Sequence, residues 1–240
     1  MRSVSVLAML ALAFISVDTR AGSNVAATLI PFDSLSATNR ALVRGVTDHY
    51  TLRRQYRARE FKARKQHVDY LMDHFDACSV LAEAMGVLRY RATRDDQGRF
   101  FADDHKGARG CIIEVYSGDG KRVYFVQGTE QGLFTIEGRG VAVIDYAQAD
   151  TNTIRYTGAI FVKVDNVVIA ALAQLFGGFL RGTIDHHYDH VLQHPIVLSE
   201  MALSDPHSLL NKIGQMPEPD RALLAPFAEL LGSATNSLAR

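Results

Sequence analysis

The chain has 240 residues, 48% of them hydrophobic and 22% charged, and its 26 basic residues balance 26 acidic ones at formal net charge +0. This composition supports a full globular core and excludes a disordered or collagen-like chain. The charge balance speaks against nucleic acid as a partner, because affinity there rests on phosphate neutralisation by basic side chains.

Residues 1–21 read as a secretory signal peptide. Arg2 gives a positive start, Val4 to Val17 is almost wholly apolar, and Asp18 ends the run. Thr19-Arg20-Ala21 offers small residues at the cleavage position before Gly22, with Ala26 and Ala27 as a second option. The run is well short of the ~20 residues that span a bilayer, so cleavage is expected rather than anchoring. No Cys follows it to carry a lipid. The expected location is periplasmic or secreted.

Ser36 to Asp48 then reads as a short helix with Ser36 in the N-cap position, and Tyr50 to Tyr56 as a strand. The arginines Arg53, Arg54, Arg57 and Arg59, with Lys62, Arg64 and Lys65, form a local basic cluster. It reads either as a solvated face or as a peripheral contact for anionic membrane headgroups. From Glu60, the residues Phe61, Val68, Leu71, Met72 and Phe75 recur at helical spacing; a second helix carries Val80, Leu81, Ala84 and Met85. Asp73 to Asp76 marks the joint between the two, and Gly86 is placed to stop the second.

After Gly86 the period changes from helical to alternating. Strands are expected at Val87 to Arg94, Arg99 to Ala102, Cys111 to Ser117, Arg122 to Gln127, Gly140 to Tyr146 and Ile154 to Val164. Turn sequences such as Asp96-Gln97-Gly98 and Ser117-Gly118-Asp119-Gly120 join them, which makes an antiparallel meander. Cys111, Ile113 and Val115 share one face opposite Glu114; Ile154, Tyr156, Ile160, Val162 and Val164 share one opposite Arg155, Thr157 and Lys163. One buried sheet face is the expected consequence. Asp165 or Asn166 can cap a helix reaching about His194, where Pro195 follows; at ~1.5 Å per residue it is about 43 Å long. Pro217-Glu218-Pro219 breaks a terminal helical region running from Pro206 to Leu231. Cys78 and Cys111 are the only cysteines, and in an exported protein they read either as a disulfide or as two free buried thiols.

This order of elements, together with Gly138-Arg139-Gly140 and Phe161-Val162-Lys163-Val164-Asp165-Asn166 leading into the long helix, resembles the START-like or Bet v 1-like helix-grip superfamily. That group includes polyketide cyclases/dehydrases and lipid-transport proteins. The resemblance covers Tyr50 to Met201. It implies an α+β fold in which a curved antiparallel sheet grips a long C-terminal helix, with two short helices between the first and second strands. The helix-grip ligand-binding domain would span 36–201, with a helical C-terminal appendage over 202–240. The helix before the first strand and the export signal depart from the family pattern, and fold likeness does not fix function.

On a helical wheel one face of the long helix carries Ala170, Gln174, Gly178, Arg181, Asp185 and Tyr188. The other carries Leu172, Phe176, Phe179, Thr183, His186, His190 and His194, apolar in its first half and imidazole in its second. With Ile113, Val115, Ile160 and Val162 from the sheet, this face is the expected lining for an amphipathic ligand; a packed core is the other reading. His186, His190 and His194 recur every turn, but the three span ~12 Å, too far for one ion without a ligand such as His74 or Asp104. His187 stands where the usual zinc-protease motif has Glu, and no metal or other cofactor is implied. Asp103-Asp104-His105 and Asp73-His74 pair carboxylate with imidazole but lie in connections where polar residues are expected.

The function expected is an exported binding or carrier protein for a hydrophobic or amphipathic, lipid-like molecule. A cyclase- or hydrolase-type enzyme using His186 or His190 as general base is the alternative, and a cavity-free interaction module a second one.

Overall fold

The structure is a computed structural model that describes residues 25–87, 90–103, 105, 107–131, 135–165 and 193–238. Helix α1, Ala37–Thr47, starts where Ser36 accepts the Asn39 amide in its side chain. Strand β1 is Leu52–Lys62 and is followed by two short helices, α2 at Lys65–Asp73 and α3 at Phe75–Ala84. Six strands follow: β2 Arg91–Arg94, β3 Phe100–Asp103, β4 Ala108–Gly118, β5 Lys121–Gln131, β6 Thr135–Asp150 and β7 Thr153–Val164. Residues 193–204 are helical (α4), then α5 is Pro206–Gly214 and α6 is Glu218–Leu238. The fold class is α+β as expected.

All the strands are antiparallel to their neighbours in one sheet of order β1-β7-β6-β5-β4-β3-β2. The consecutive pairs follow from short turns, where Gly98 and Gly120 adopt the positive φ that a side chain resists. The return of β7 to β1 carries the sheet to its other edge. Tertiary pairing overrides local pattern in β1: Glu60 and Phe61, expected to begin a helix, pair with Arg155 and Ile154 of β7 and extend the strand. The α2–α3 joint falls at His74, whose φ of −131° lies outside the helical range, and Gly86 follows α3 at φ 69°.

The expectation of a single buried face is corrected. One face of the sheet packs Ile112, Tyr124, Ile144, Tyr146 and Ile154 against Val68, Met72 and Phe75 of α2 and α3. The opposite face packs Val115, Val123, Phe125, Val141, Val143, Ala159 and Phe161 against Val43 and Val46 of α1 and the preceding Ala26, Ile30 and Leu35. The segment before β1 thus supplies a second cover, and each fully buried aliphatic side chain contributes about 1.5–3 kcal/mol. A third cluster joins Leu71, Cys78 and Leu81 of α2 and α3 to Leu198, Leu209, Ile213, Leu224, Phe227 and Leu231 of α4, α5 and α6.

The long helix expected over 165–194 falls mainly on residues 166–192, outside those described. Residues 193–204 are helical, so His194 and Pro195 lie within a helix rather than at the end of one. The apolar stripe of this helix packs inward: Leu198 and Ala202, one turn apart, are both buried in the third cluster.

Candidate functional site

The face bearing α1 is only partly covered by it. Beyond Val115 and Val141 the strands form a groove of about 780 Å³ that crosses from β2 to β6 and ends at Asp165. The antiparallel register sets its lining in rows. Ile113 opposite Phe125 makes an apolar row beside α1. Two residues further along, Phe101, Cys111 and Gln127 stand abreast, and Phe101 is 43% exposed. The outermost row is polar: Asp103, Arg109, Thr129 and Glu137. Side chains of alternate parity point to the opposite face, so the groove passes from oily to charged along the strand direction.

Three ion pairs lie along the charged rim. Arg109 binds Asp103 at 2.9 Å, Arg139 binds Asp165, and Arg99 binds Asp95 at 2.7 Å while lying over the Phe101 ring. Burial raises the Cys111 thiol above its ordinary range, so it stays protonated at neutral pH. Gly110 and Gly128 lie opposite each other beneath this end of the groove. A Cβ on Gly128 would sit 2.6 Å from the Arg109 carbonyl oxygen and 3.2 Å from the Gly110 Cα, so the strands approach there as only glycine permits.

The sheet residues expected to line one cavity divide between two faces. Ile113 lines the groove, and Val115 shares its face but is buried under α1, where Asn39 donates to the Val115 carbonyl. Ile160 packs with the opposite cluster, and Val162, of the same parity, pairs with Leu52 and Gly140. Leu172, Phe176, Phe179, Thr183, His186 and His190 lie outside the described residues. His194 is buried beside Tyr90, ring centroids 5.5 Å apart.

The disulfide reading is corrected: Cys78 and Cys111 are free. Cys78 lies in the cluster joining α3 to the C-terminal helices, while Cys111 faces the groove, so the sheet stands between them. Nor do Arg53, Arg54, Arg57 and Arg59 share one face. Arg53 lies over the Phe161 ring, Arg54 sits opposite Ile160, and an irregularity between Tyr56 and Arg59 breaks the alternation. His74 stacks on Tyr70 with its Nδ1 2.9 Å from the Tyr70 carbonyl oxygen, and Asp103 is bound by Arg109.

A polar constellation that the sequence reading passed over stands at the other end of the α2-bearing face. Arg122, 5% exposed, binds Asp73, with Glu114 at 3.8 Å and Asp69 at 3.9 Å. Tyr146 donates to Asp69 at 2.7 Å, and Lys65 bridges Asp69 to Asp119. Burial, and then the charge of Asp73, raises the Glu114 carboxyl above the usual range. The pattern held a clue: Arg122 has the parity of Tyr124 and Val126, an inward position in an apolar strand.

No protein-family profile and no curated protein matches the chain. Several solved structures are similar to part of the chain. A conserved protein from Geobacillus kaustophilus matches 60% of this chain and 95% of its own at 15% identity and TM-score 0.43. A START superfamily protein from Mycobacterium smegmatis matches 62% and 97% at 10% identity and TM-score 0.40. A truncated norcoclaurine synthase from Thalictrum flavum matches 58% and 91% at 10% identity and TM-score 0.37. At identities and TM-scores this low, the fold is read from strand order alone. With β1 and β2 at opposite edges of a seven-stranded antiparallel sheet and two helices lodged between them in sequence, the described residues have the strand order expected from the START-like, Bet v 1-like resemblance.

Proposed function

We propose that this protein binds and carries an amphipathic, lipid-like small molecule outside the cytoplasm, with the groove on the α1-bearing face as its site. The observation that supports this most is the gradation of rows: Ile113 and Phe125, then Phe101, Cys111 and Gln127, then Asp103, Arg109, Thr129 and Glu137. An apolar tail is matched at one end and a hydrogen-bonding head at the other. A volume of about 780 Å³ lies within the ~300–1,000 Å³ of small-molecule sites. The acids Asp103 and Asp165 are each held by a guanidinium, an arrangement suited to orienting a head group rather than to moving protons. Export is part of the reading, on the strength of Arg2, the apolar Val4 to Val17 and Thr19-Arg20-Ala21.

The test is binding of a fluorescent fatty acid to the parent protein and to two single variants. Ile113→Trp fills the apolar row, and Ile160→Trp places the same bulk on the opposite face. The expected result is at least a tenfold loss of affinity for Ile113→Trp alone, with melting temperatures recorded for both. Loss confined to Ile160→Trp moves the site to the other face, and a parent protein that binds no such probe overturns the carrier reading.

A further inference from the structure

His67 stands in α2 where that helix meets α6. Its side chain is fully buried, and neither ring nitrogen has a hydrogen-bond partner among the described residues. The ring meets Phe227 of α6 edge-on, centroids 5.9 Å apart. Nearly one turn later, Tyr70 stacks on the same Phe227 at 5.2 Å and donates its hydroxyl to the Leu223 carbonyl at 3.3 Å. An aromatic joint therefore fastens α6 to α2, with an imidazole sealed inside it. Two other buried hydroxyls beside the C-terminal helical layer, Tyr90 and Ser199, likewise lack partners among the described residues, so the docked state leaves polar groups uncompensated there.

Charge around the ring is one-sided. Arg64, at the start of α2, acts on it, while Lys65 and Asp69 are engaged with each other, and His74 stacks on Tyr70. On α6 the facing group is the apolar Phe227; Asp220 is bound by Arg91 and Glu218 by Arg221. Among the described residues, then, no carboxylate compensates a proton on this ring.

We propose that His67 is an acid-sensitive latch: protonation of its ring opens the α2–α6 joint and loosens α5 and α6 while the sheet stays folded. Opening would bare the apolar surfaces of Leu71 and Leu81 on one side and of Leu224 and Leu231 on the other. The direction follows from linkage. Burial, and then the Arg64 charge, holds the docked imidazole down at about 4 against an ordinary 6.5. Docking is therefore at full strength above pH 6.5 and weakens as pH falls toward 4. At pH 5 the opening equilibrium shifts by about thirtyfold.

The experiment is hydrogen–deuterium exchange on the full chain at pH 7.5, 6 and 5, corrected for intrinsic exchange. Peptides within 206–238 should exchange about thirtyfold faster at pH 5, while those of β5 and β6 keep their protection. His67→Phe should abolish the acid step; His67→Gln, a neutral polar replacement, serves if Phe does not dock at pH 7.5. An acid step that persists in both variants overturns the proposal. So does the absence of any step, or an acceleration shared equally by β5 and β6.

Discussion

Arg122 and Asp73 meet in a two-point ion pair, Nε to Oδ1 at 2.6 Å and Nη2 to Oδ2 at 3.1 Å, that ties β5 to the end of α2. The guanidinium also donates to the Gly118 carbonyl at 2.5 Å and lies 5.7 Å from the Tyr146 ring. The pair closes one end of the α2-bearing face, above Tyr124, whose hydroxyl reaches the Met72 carbonyl. Its partners are unequally exposed, Arg122 at 6% and Asp73 at 37% of the side chain, which makes the loss of Asp73 the more damaging one.

Asp73→Ala leaves the guanidinium buried without its main partner. The expected cost is roughly 2–3 kcal/mol, read as a lower urea midpoint at unchanged slope. Asp73→Asn, which keeps one acceptor, should lose less. Equal stability of Asp73→Ala and the parent protein would show that the pair is not a fastening.

Two glycines on the same face of the sheet should respond differently to one added methyl group. Gly128→Ala forces a Cβ to 2.6 Å from the Arg109 carbonyl oxygen, so it should cost ~1–3 kcal/mol. Gly140→Ala meets the Phe161 carbonyl oxygen at 3.5 Å, an ordinary contact, and should be tolerated. Thermal melting of the two variants decides, and the reverse order of stability would contradict the close approach of β4 and β5.

Thiol chemistry should distinguish the cysteines. Both are free, but Cys78 is fully buried, and burial pushes its thiol well above the ordinary range. Cys111 is half-buried at the groove. A chromogenic disulfide reagent should titrate one thiol in the native protein at moderate pH and two after unreduced unfolding. A count of zero after unfolding would mean that the cysteines are oxidised.

Fusion of Met1 to Ala27 to a reporter that matures only outside the cytoplasm should give activity, because the apolar run is recognisable yet too short to anchor. N-terminal sequencing of the exported protein should begin at Gly22 or after Ala26 or Ala27. A mature chain retaining Met1 in the cytosol would refute export.

The local devices were legible in the residues themselves: Ser36 capping α1, Gly86 after α3, the Gly98 and Gly120 turns, and the two-residue alternation of β4 and β7. Each depends on backbone sterics or on periodicity within a few residues, which the chain carries wherever it folds. What lies on each face does not. Ile113 and Ile160 have the same alternating, apolar context, and only the register of four strands places one in a groove and the other under the helices. Arg122 finds Asp73 across 49 residues, and β1 takes Phe61 from a helical pattern because β7 offers it Ile154. Such choices belong to the tertiary structure, because the free energy of burial and pairing depends on which distant residues arrive, and no local pattern encodes that.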